Sequence, residues 1–280
     1  MKFTFFGSSE FSVYVLDELK LHNFVPDLII TTPDKPKDRR LVLTPTPTKV
    51  WAHQNNVKVA APPSLKNNPD LISKLETLNS ELFLVASYGK IIPQNIFNIP
   101  GRKTLNIHPS LLPKYRGASP IQSQILNDEK NVGVTIMQIE EEMDAGPIIV
   151  QKKVMVEKWP IGRKELEKVL AIEGARLFTH ILPEWLAGVI DPIMQNENNA
   201  TYCTKITKKD GLVGLDEDPR KNLLKIKAYE EWPTAYFLLE DKRVIITEAN
   251  ITEGKLQIKK VIPEGKREMP YEDFLRGQKR

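Results

Sequence analysis

The chain has 280 residues, 41% hydrophobic and 27% charged, enough to bury the core of one large domain or of a large and a small one. Its net charge is +4: residues 201–280 carry 17 Lys/Arg against 14 Asp/Glu and residues 1–200 carry 23 against 22, so a polyanionic partner suits the tail but is not demanded by it. The single cysteine, Cys203, excludes an intramolecular disulfide and fits a reducing, cytoplasmic setting, four scattered histidines show no metal-ligand spacing, and no apolar run reaches membrane-spanning length.

Lys2–Phe6 reads as a first strand, and Ser8 or Ser9 as the cap of a helix whose buried face is Phe11, Val15 and Leu19. Asp27–Thr31 is the next strand, followed by a loop rich in proline and basic residues. The spacing then predicts a helix over Thr46–Asn55, a strand at Val57–Ala60, a helix over Asp70–Leu78 and a strand at Glu81–Ala86. Lys103–His108 is a strand, Ile121–Asn127 a helix, Val132–Ile139 and Ile148–Val156 strands, and Arg163–Ala187 a long helix. Alternating strands and helices imply an α/β unit built on a parallel sheet covered on both faces. Gly7 alone occupies the first strand-to-helix turn, so the glycine-rich dinucleotide fingerprint is missing, as is any Walker-type loop.

Gln195–Ala200 is polar and reads as a linker. Beyond it, Asp218-Pro219 starts a short helix, and Ala235–Leu239, Val244–Ala249 and Lys255–Ile262 read as strands joined by charged turns. The expected division is a main domain over residues 1–189, a linker over 190–202 and a small β-rich domain over 203–280.

Chemistry concentrates in Leu105-Asn106-Ile107-His108-Pro109-Ser110. Side chains alternate along a strand, so Asn106 and His108 share one face, ~7 Å apart, with Leu105 and Ile107 on the other. Pro109 ends the strand and holds His108 extended, at the carboxyl edge where open α/β sheets bind ligands. Spacing alone equally allows an Asn and a His satisfied by loop backbone. Asp144, just ahead of the Gly146-Pro147 turn, is open to two readings in the same way: a turn-forming residue or a proton relay. Glu140, Glu141 and Glu142 read as a solvated acidic turn.

Asn106 to Pro113, continued by Lys114-Tyr115-Arg116-Gly117-Ala118-Ser119-Pro120-Ile121, resembles the signature of folate-dependent formyltransferases. Gly133–Gln138 with Asp144-Ala145-Gly146 resembles their second signature, Phe6–Phe11 their opening, and Ser87–Pro93 their folate-pocket loop. The resemblance implies a Rossmann-like catalytic domain with a small oligonucleotide-type (OB-like) β-barrel behind it. It also implies 10-formyltetrahydrofolate as co-substrate, no metal, and Asn106, His108 and Asp144 as the catalytic group. By the same resemblance the reduced folate is held by Phe6, Tyr88, Gly89, Ile91, Ile92, Ser110, Leu111, Gln138, Glu140 and Glu142. Ser8, Ser9, Phe11, Pro113, Lys114, Arg116 and Gly117 fall to the acceptor side.

The acceptor is implied by two further segments. The loop with Lys35, Lys37, Arg39 and Arg40 resembles the basic loop that tRNA-directed members of the family insert after the second strand, although Asp38 and Arg40 stand where glycines are usual. Residues 200–206, Glu231–Ala235 and Met269–Gly277 resemble those members' carboxyl-terminal domain, with Lys205, Lys208 and Lys209 toward phosphate. Three strands are expected there where the family has five, and the segment around Asn250–Lys255 lacks a hairpin of that pattern. The implied acceptor is initiator methionyl-tRNA, and the implied enzyme is a monomer. The alternatives are an amino-sugar N-formyltransferase, against which the basic loop argues; a formyl-folate hydrolase, which would usually bring an extra regulatory domain; and an RNA-binding protein with a dead site, which would not need Asn106, His108 and Asp144 intact.

Overall fold

The structure is a computed structural model that describes residues 1–37 and 42–278. In chain order the elements begin with β1 (Phe3–Phe6), α1 (Glu10–Leu21), β2 (Leu28–Ile30), β3 (Lys35–Lys37), β4 (Val42–Thr44), α2 (Pro47–Gln54) and β5 (Lys58–Ala60). There follow α3 (Pro69–Leu78), β6 (Leu82–Val85), α4 (Gln94–Phe97), β7 (Thr104–His108), β8 (Arg116–Gly117), α5 (Pro120–Leu126), β9 (Gly133–Gln138) and β10 (Ile148–Lys153). The remainder comprises α6 (Arg163–Ala187), β11 (Tyr202–Cys203), α7 (Pro219–Ala228), β12 (Tyr236–Leu239), β13 (Lys242–Thr252), β14 (Lys255–Pro263), β15 (Met269–Pro270) and α8 (Tyr271–Gln278).

The chain divides into two compact units. The first holds residues 1–118, 132–154 and 167–202, and the second holds 119–131, 155–166 and 203–280. Residues 195–200, expected as a linker, therefore lie inside the first unit, where Glu197–Asn199 forms a turn of 3-10 helix.

Among the described residues the first unit is built on a seven-stranded sheet in the order β10-β9-β7-β6-β1-β2-β5. Strands β1, β2 and β6 are buried at every position, which explains their unbroken apolar sequences, and they pair in parallel with their neighbours. The expectation of a parallel sheet fails at one edge. β7 pairs antiparallel with β9, and β9 antiparallel with β10. The β9–β10 connection holds no crossover helix, and parallel pairing needs one; α5, between β7 and β9, belongs to the second unit.

Local chemistry sets the helix limits. Thr46 accepts from Lys49 N–H ahead of Pro47, and Asn68 accepts from Leu71 N–H ahead of Pro69, so each cap satisfies an orphan amide while proline takes a position that needs none. One core layer gathers Phe6, Leu28, Ile30, Leu75, Phe83, Val85, Tyr88 and Ile96. At Gly174 in α6 a Cβ would lie 2.5 Å from Ile107 Cγ2, so only glycine lets the helix come this close to β7. Ile107 thus faces α6, and Asn106 and His108 face away from it.

The second unit carries a four-stranded antiparallel sheet, β12-β13-β14-β15, one strand more than expected. β15 is two residues long, too short to show an alternating pattern. Asn250–Lys255 is the tip of the long β13–β14 hairpin, with Thr252 opposite Lys255 and positive φ at Glu253 (50°) and Gly254 (73°), the signature of a two-residue type I′ turn. Phe237 packs edge-on against Tyr271 and Phe274 over a core that includes Leu223, Val244, Ile246 and Val261. Asp218 accepts from Arg220 and Lys221 N–H to start α7.

Candidate active site

β7 ends between β6 and β9: Asn106 stands opposite Val85 on one side and Met137 on the other, and His108 opposite Thr135. His108 is buried, and its Nε2 lies 3.0 Å from the carbonyl oxygen of Tyr115. On the other side of the ring, Nδ1 lies 3.7 Å from Asp144 Oδ1, an ion-pair distance rather than a hydrogen bond. Asp144 Oδ2 accepts from Gly117 N–H at 2.8 Å. Asn106, two residues back on the same strand face as His108, is half-buried. His108 and Asp144 are thus brought together by three segments: the strand end, the loop over residues 109–118 and the β9–β10 turn.

That turn is held open in an unusual backbone state. Asp144 has φ of 56°, in the left-handed region that asparagine and aspartate tolerate better than other side chains. A Cβ at Gly146 would sit 2.1 Å from the carbonyl oxygen of Gln138, so glycine is required for the chain to fold back on β9. Glu140 and Glu142 are exposed, and Gln138 is half-buried.

Around the loop over residues 87–93, expected to hold the folate, Phe6 and Tyr88 are buried against each other, ring centroids 5.6 Å apart and edge to face, and Ile92 joins their core. Burial pushes the Tyr88 phenol up to about 12. Gly89 (φ 78°) and Ile91, 88% exposed, face outward. Ser110 is turned inward, its hydroxyl donating to Lys114 O at 2.7 Å, and half-buried Leu111 lies where a Cβ on Gly133 would collide with it, at 2.6 Å.

Of the residues expected to face the acceptor, the Ser8 hydroxyl accepts from Thr32 N–H at 3.1 Å, Ser9 is half-buried and Phe11 is in the core. Lys35 is exposed on the β3–β4 hairpin, where Lys35 stands opposite Thr44. The side chain of Lys37 and all of Arg39 and Arg40 lie outside the described residues. Pro113 is half-buried and Lys114 exposed. In the second unit Lys205, Lys208 and Lys209 are exposed. No group of three or more His, Cys, Asp or Glu among the described residues is arranged to hold a metal ion, and no helix there is long and apolar enough to cross a membrane.

Arg116, expected to face the acceptor, is fully buried. Its Nε and Nη2 donate to Gln195 Oε1 at 3.0 and 2.9 Å, and its Nη1 and Nη2 donate to the two carboxylate oxygens of Glu197 at 2.8 and 2.7 Å. The Glu197 hydrogen bond raises the Arg116 pKa from its ordinary value against the opposing cost of burial, and Arg116 holds the Glu197 carboxyl below the usual range. Gln195 and Glu197 are the site-bordering residues that sequence reading missed. A polar stretch with no periodicity carries no signal that it binds a partner 79 residues earlier.

A family model described as formyl transferase matches residues 1–182. The chain belongs to this formyl transferase family. A methionyl-tRNA formyltransferase of Sulfurihydrogenibium sp. (strain YO3AOP1) is 38% identical over 256 residues, covering 91% of this chain and 82% of that one. Two solved structures share the fold at lower identity: a 4-N formyltransferase from Francisella tularensis (TM-score 0.67, 21% identical, 88% of this chain and 96% of that one) and HypX from Aquifex aeolicus in complex with tetrahydrofolic acid (0.66, 17%, 98% and 47%).

Proposed function

We propose that the protein transfers the formyl group of 10-formyltetrahydrofolate to the α-amine of initiator methionyl-tRNA, giving formylmethionyl-tRNA for translation initiation. The observation that carries the chemistry is the placement of His108 between a fixed carbonyl, that of Tyr115, and the Asp144 carboxylate, with Asn106 on the same strand face. The acceptor reading rests on the likeness to a named methionyl-tRNA formyltransferase over most of both chains.

The amine nitrogen attacks the formyl carbon and the carbonyl oxygen becomes an oxyanion. Asn106 and protonated His108 stabilise that oxyanion by hydrogen bonds that strengthen as charge develops. Asp144 balances the imidazolium and, directly or through water, takes a proton from the attacking nitrogen and delivers it to N10 of the folate as the C–N10 bond breaks. Tetrahydrofolate leaves and the amide remains.

Exposure supports a folate site here: Gly89, Ile91, Glu140 and Glu142 are outward-facing, while Phe6, Tyr88 and Ile92 are buried together in one core. In this reading backbone over residues 88–92 and 138–142 binds the pterin, with half-buried Leu111 beside it and Ser110, fully buried, acting only by holding the Lys114 carbonyl. Residues 1–189 act as the catalytic domain and residues 203–280 offer Lys205, Lys208 and Lys209 to tRNA phosphates, while the basic segment with Lys35, Lys37, Arg39 and Arg40 grips the acceptor stem. Incubation with methionyl-tRNA and 10-formyltetrahydrofolate is expected to yield formylmethionine on alkaline release. A formyl-free product beside an active control enzyme contradicts the assignment.

A further inference from the structure

The Gln195 side chain is saturated. Its Nε2 donates to Asp144 O and to Gly146 O, each at 2.8 Å, and its Oε1 accepts from both Arg116 Nε and Nη2. The partners fix the orientation of the amide, since carbonyls only accept and a guanidinium only donates. Two donors and two acceptors on one planar head is a set that glutamate, with no donor, cannot supply, and that asparagine supplies only with a shorter arm. Arg116 is saturated as well: Nε and Nη2 on Gln195, Nη1 and Nη2 on Glu197, and a last hydrogen bond from Nη1 to Tyr202 Oη at 3.3 Å.

The residues flanking Arg116 are the ones that touch the reacting groups. Tyr115 O meets His108 Nε2, and Gly117 N–H meets Asp144 Oδ2. Anchoring the Arg116 side chain therefore fixes the backbone on both sides of the His108–Asp144 pair. Gln195 meanwhile fixes the Asp144 carbonyl itself, in a turn whose left-handed backbone persists only when its surroundings over-determine it.

We propose that Gln195 is a positioning residue for formyl transfer, with Arg116 and Glu197 as its brace: together they set the separation of His108 from Asp144. The proposal rests on the reading of His108 and Asp144 as reacting groups. A role limited to tying residues 195–199 to the first unit would lower stability and leave turnover per folded enzyme unchanged. A positioning role lowers kcat, because misplacement of a catalytic group by ~1 Å costs about 10²-fold, and leaves Michaelis constants nearly unaltered.

The test is steady-state formyl transfer to methionyl-tRNA by Gln195→Glu and Gln195→Met, assayed well below their melting temperatures and normalised to folded enzyme. Gln195→Glu keeps an acceptor for Arg116 and loses both donors to the turn; Gln195→Met loses all four hydrogen bonds at similar volume. Both are expected to show kcat down about 10²-fold with both Michaelis constants within about twofold, although Gln195→Met melts lower. Glu197→Gln, which keeps a hydrogen-bond acceptor for Arg116, is expected to recover most of the kcat that Glu197→Ala loses. Wild-type kcat in folded Gln195→Glu, or Gln195→Met if the former does not fold, overturns the proposal. So do kcat losses that vanish on normalisation. A wild-type enzyme inactive in the same assay overturns the reaction itself, and the positioning role with it.

Discussion

Replacing Asp144 by asparagine removes a charge, and with it the proton-relaying base, but keeps the local structure. The Asn carbonyl oxygen inherits the hydrogen bond from Gly117 N–H, and asparagine tolerates the left-handed backbone at this position as aspartate does. The smallest loss is the attraction between the carboxylate and the positive charge that His108 carries in the transition state, to which loss of the relay adds. At the observed 3.7 Å, unit charges at an effective dielectric of ~20 attract by about 4 kcal/mol. The Asp144 side chain is 15% exposed, so solvent screening reduces this somewhat. With ~1.4 kcal/mol per factor of ten, Asp144→Asn should lower kcat by about 10²- to 10³-fold. The Michaelis constants for folate and tRNA should barely change, because neither substrate's ground state needs the charge. Single-turnover transfer at saturating substrates isolates the chemical step. A rate within about threefold of wild type would refute the electrostatic role.

His108→Ala is expected to lower turnover by orders of magnitude while folate binding, followed by fluorescence or calorimetry, stays near wild type; an active variant removes the central residue from the mechanism. Neutralising Lys35, Lys37, Arg39 and Arg40 together should raise the apparent Michaelis constant for tRNA and reduce the salt dependence of binding by about 0.9 in log–log slope for each phosphate no longer neutralised. An unchanged slope places the tRNA grip elsewhere. Asp128 accepts from Arg220 Nε and Nη2 at 3.0 and 2.6 Å and from Trp159 Nε1 at 2.6 Å. The Arg220 hydrogen bond is the largest influence on its carboxyl and holds it below the ordinary range. A depressed folded-state pKa contributes stability that is present above the unfolded value and lost as pH falls through the folded one. Arg220→Met should therefore unfold at lower denaturant than wild type at neutral pH, by about 1 kcal/mol or less for a pair this exposed, and the gap should close as the solution is acidified. A gap that widens toward low pH contradicts the linkage.

Much of this architecture is legible in the sequence. α6 has the limits its periodicity predicts, and Thr46-Pro47 and Asp218-Pro219 start helices where cap and proline chemistry say they should. Strand alternation correctly put Asn106 and His108 on one face, because Leu105 and Ile107 had to be buried. Strand direction was not legible: β9 is buried at almost every position, and a residue pattern does not encode which way a neighbour runs. The β3–β4 hairpin was hidden for a related reason, since Lys35-Pro36-Lys37 has no hydrophobic alternation and is held by pairing alone. Gln195 and Glu197 read as linker because their stretch is polar and their partner is distant in sequence, and Arg116 falls to the acceptor side by resemblance alone, which carries no information on its burial.

Acceptor and reaction are tested together by kcat/KM for formyl transfer from 10-formyltetrahydrofolate to methionyl-tRNA and, in parallel, to nucleotide-linked amino sugars. Efficient transfer to methionyl-tRNA is expected, abolished by His108→Ala, with the amino sugars orders of magnitude behind. Good transfer to an amino sugar and none to methionyl-tRNA would contradict the acceptor assignment.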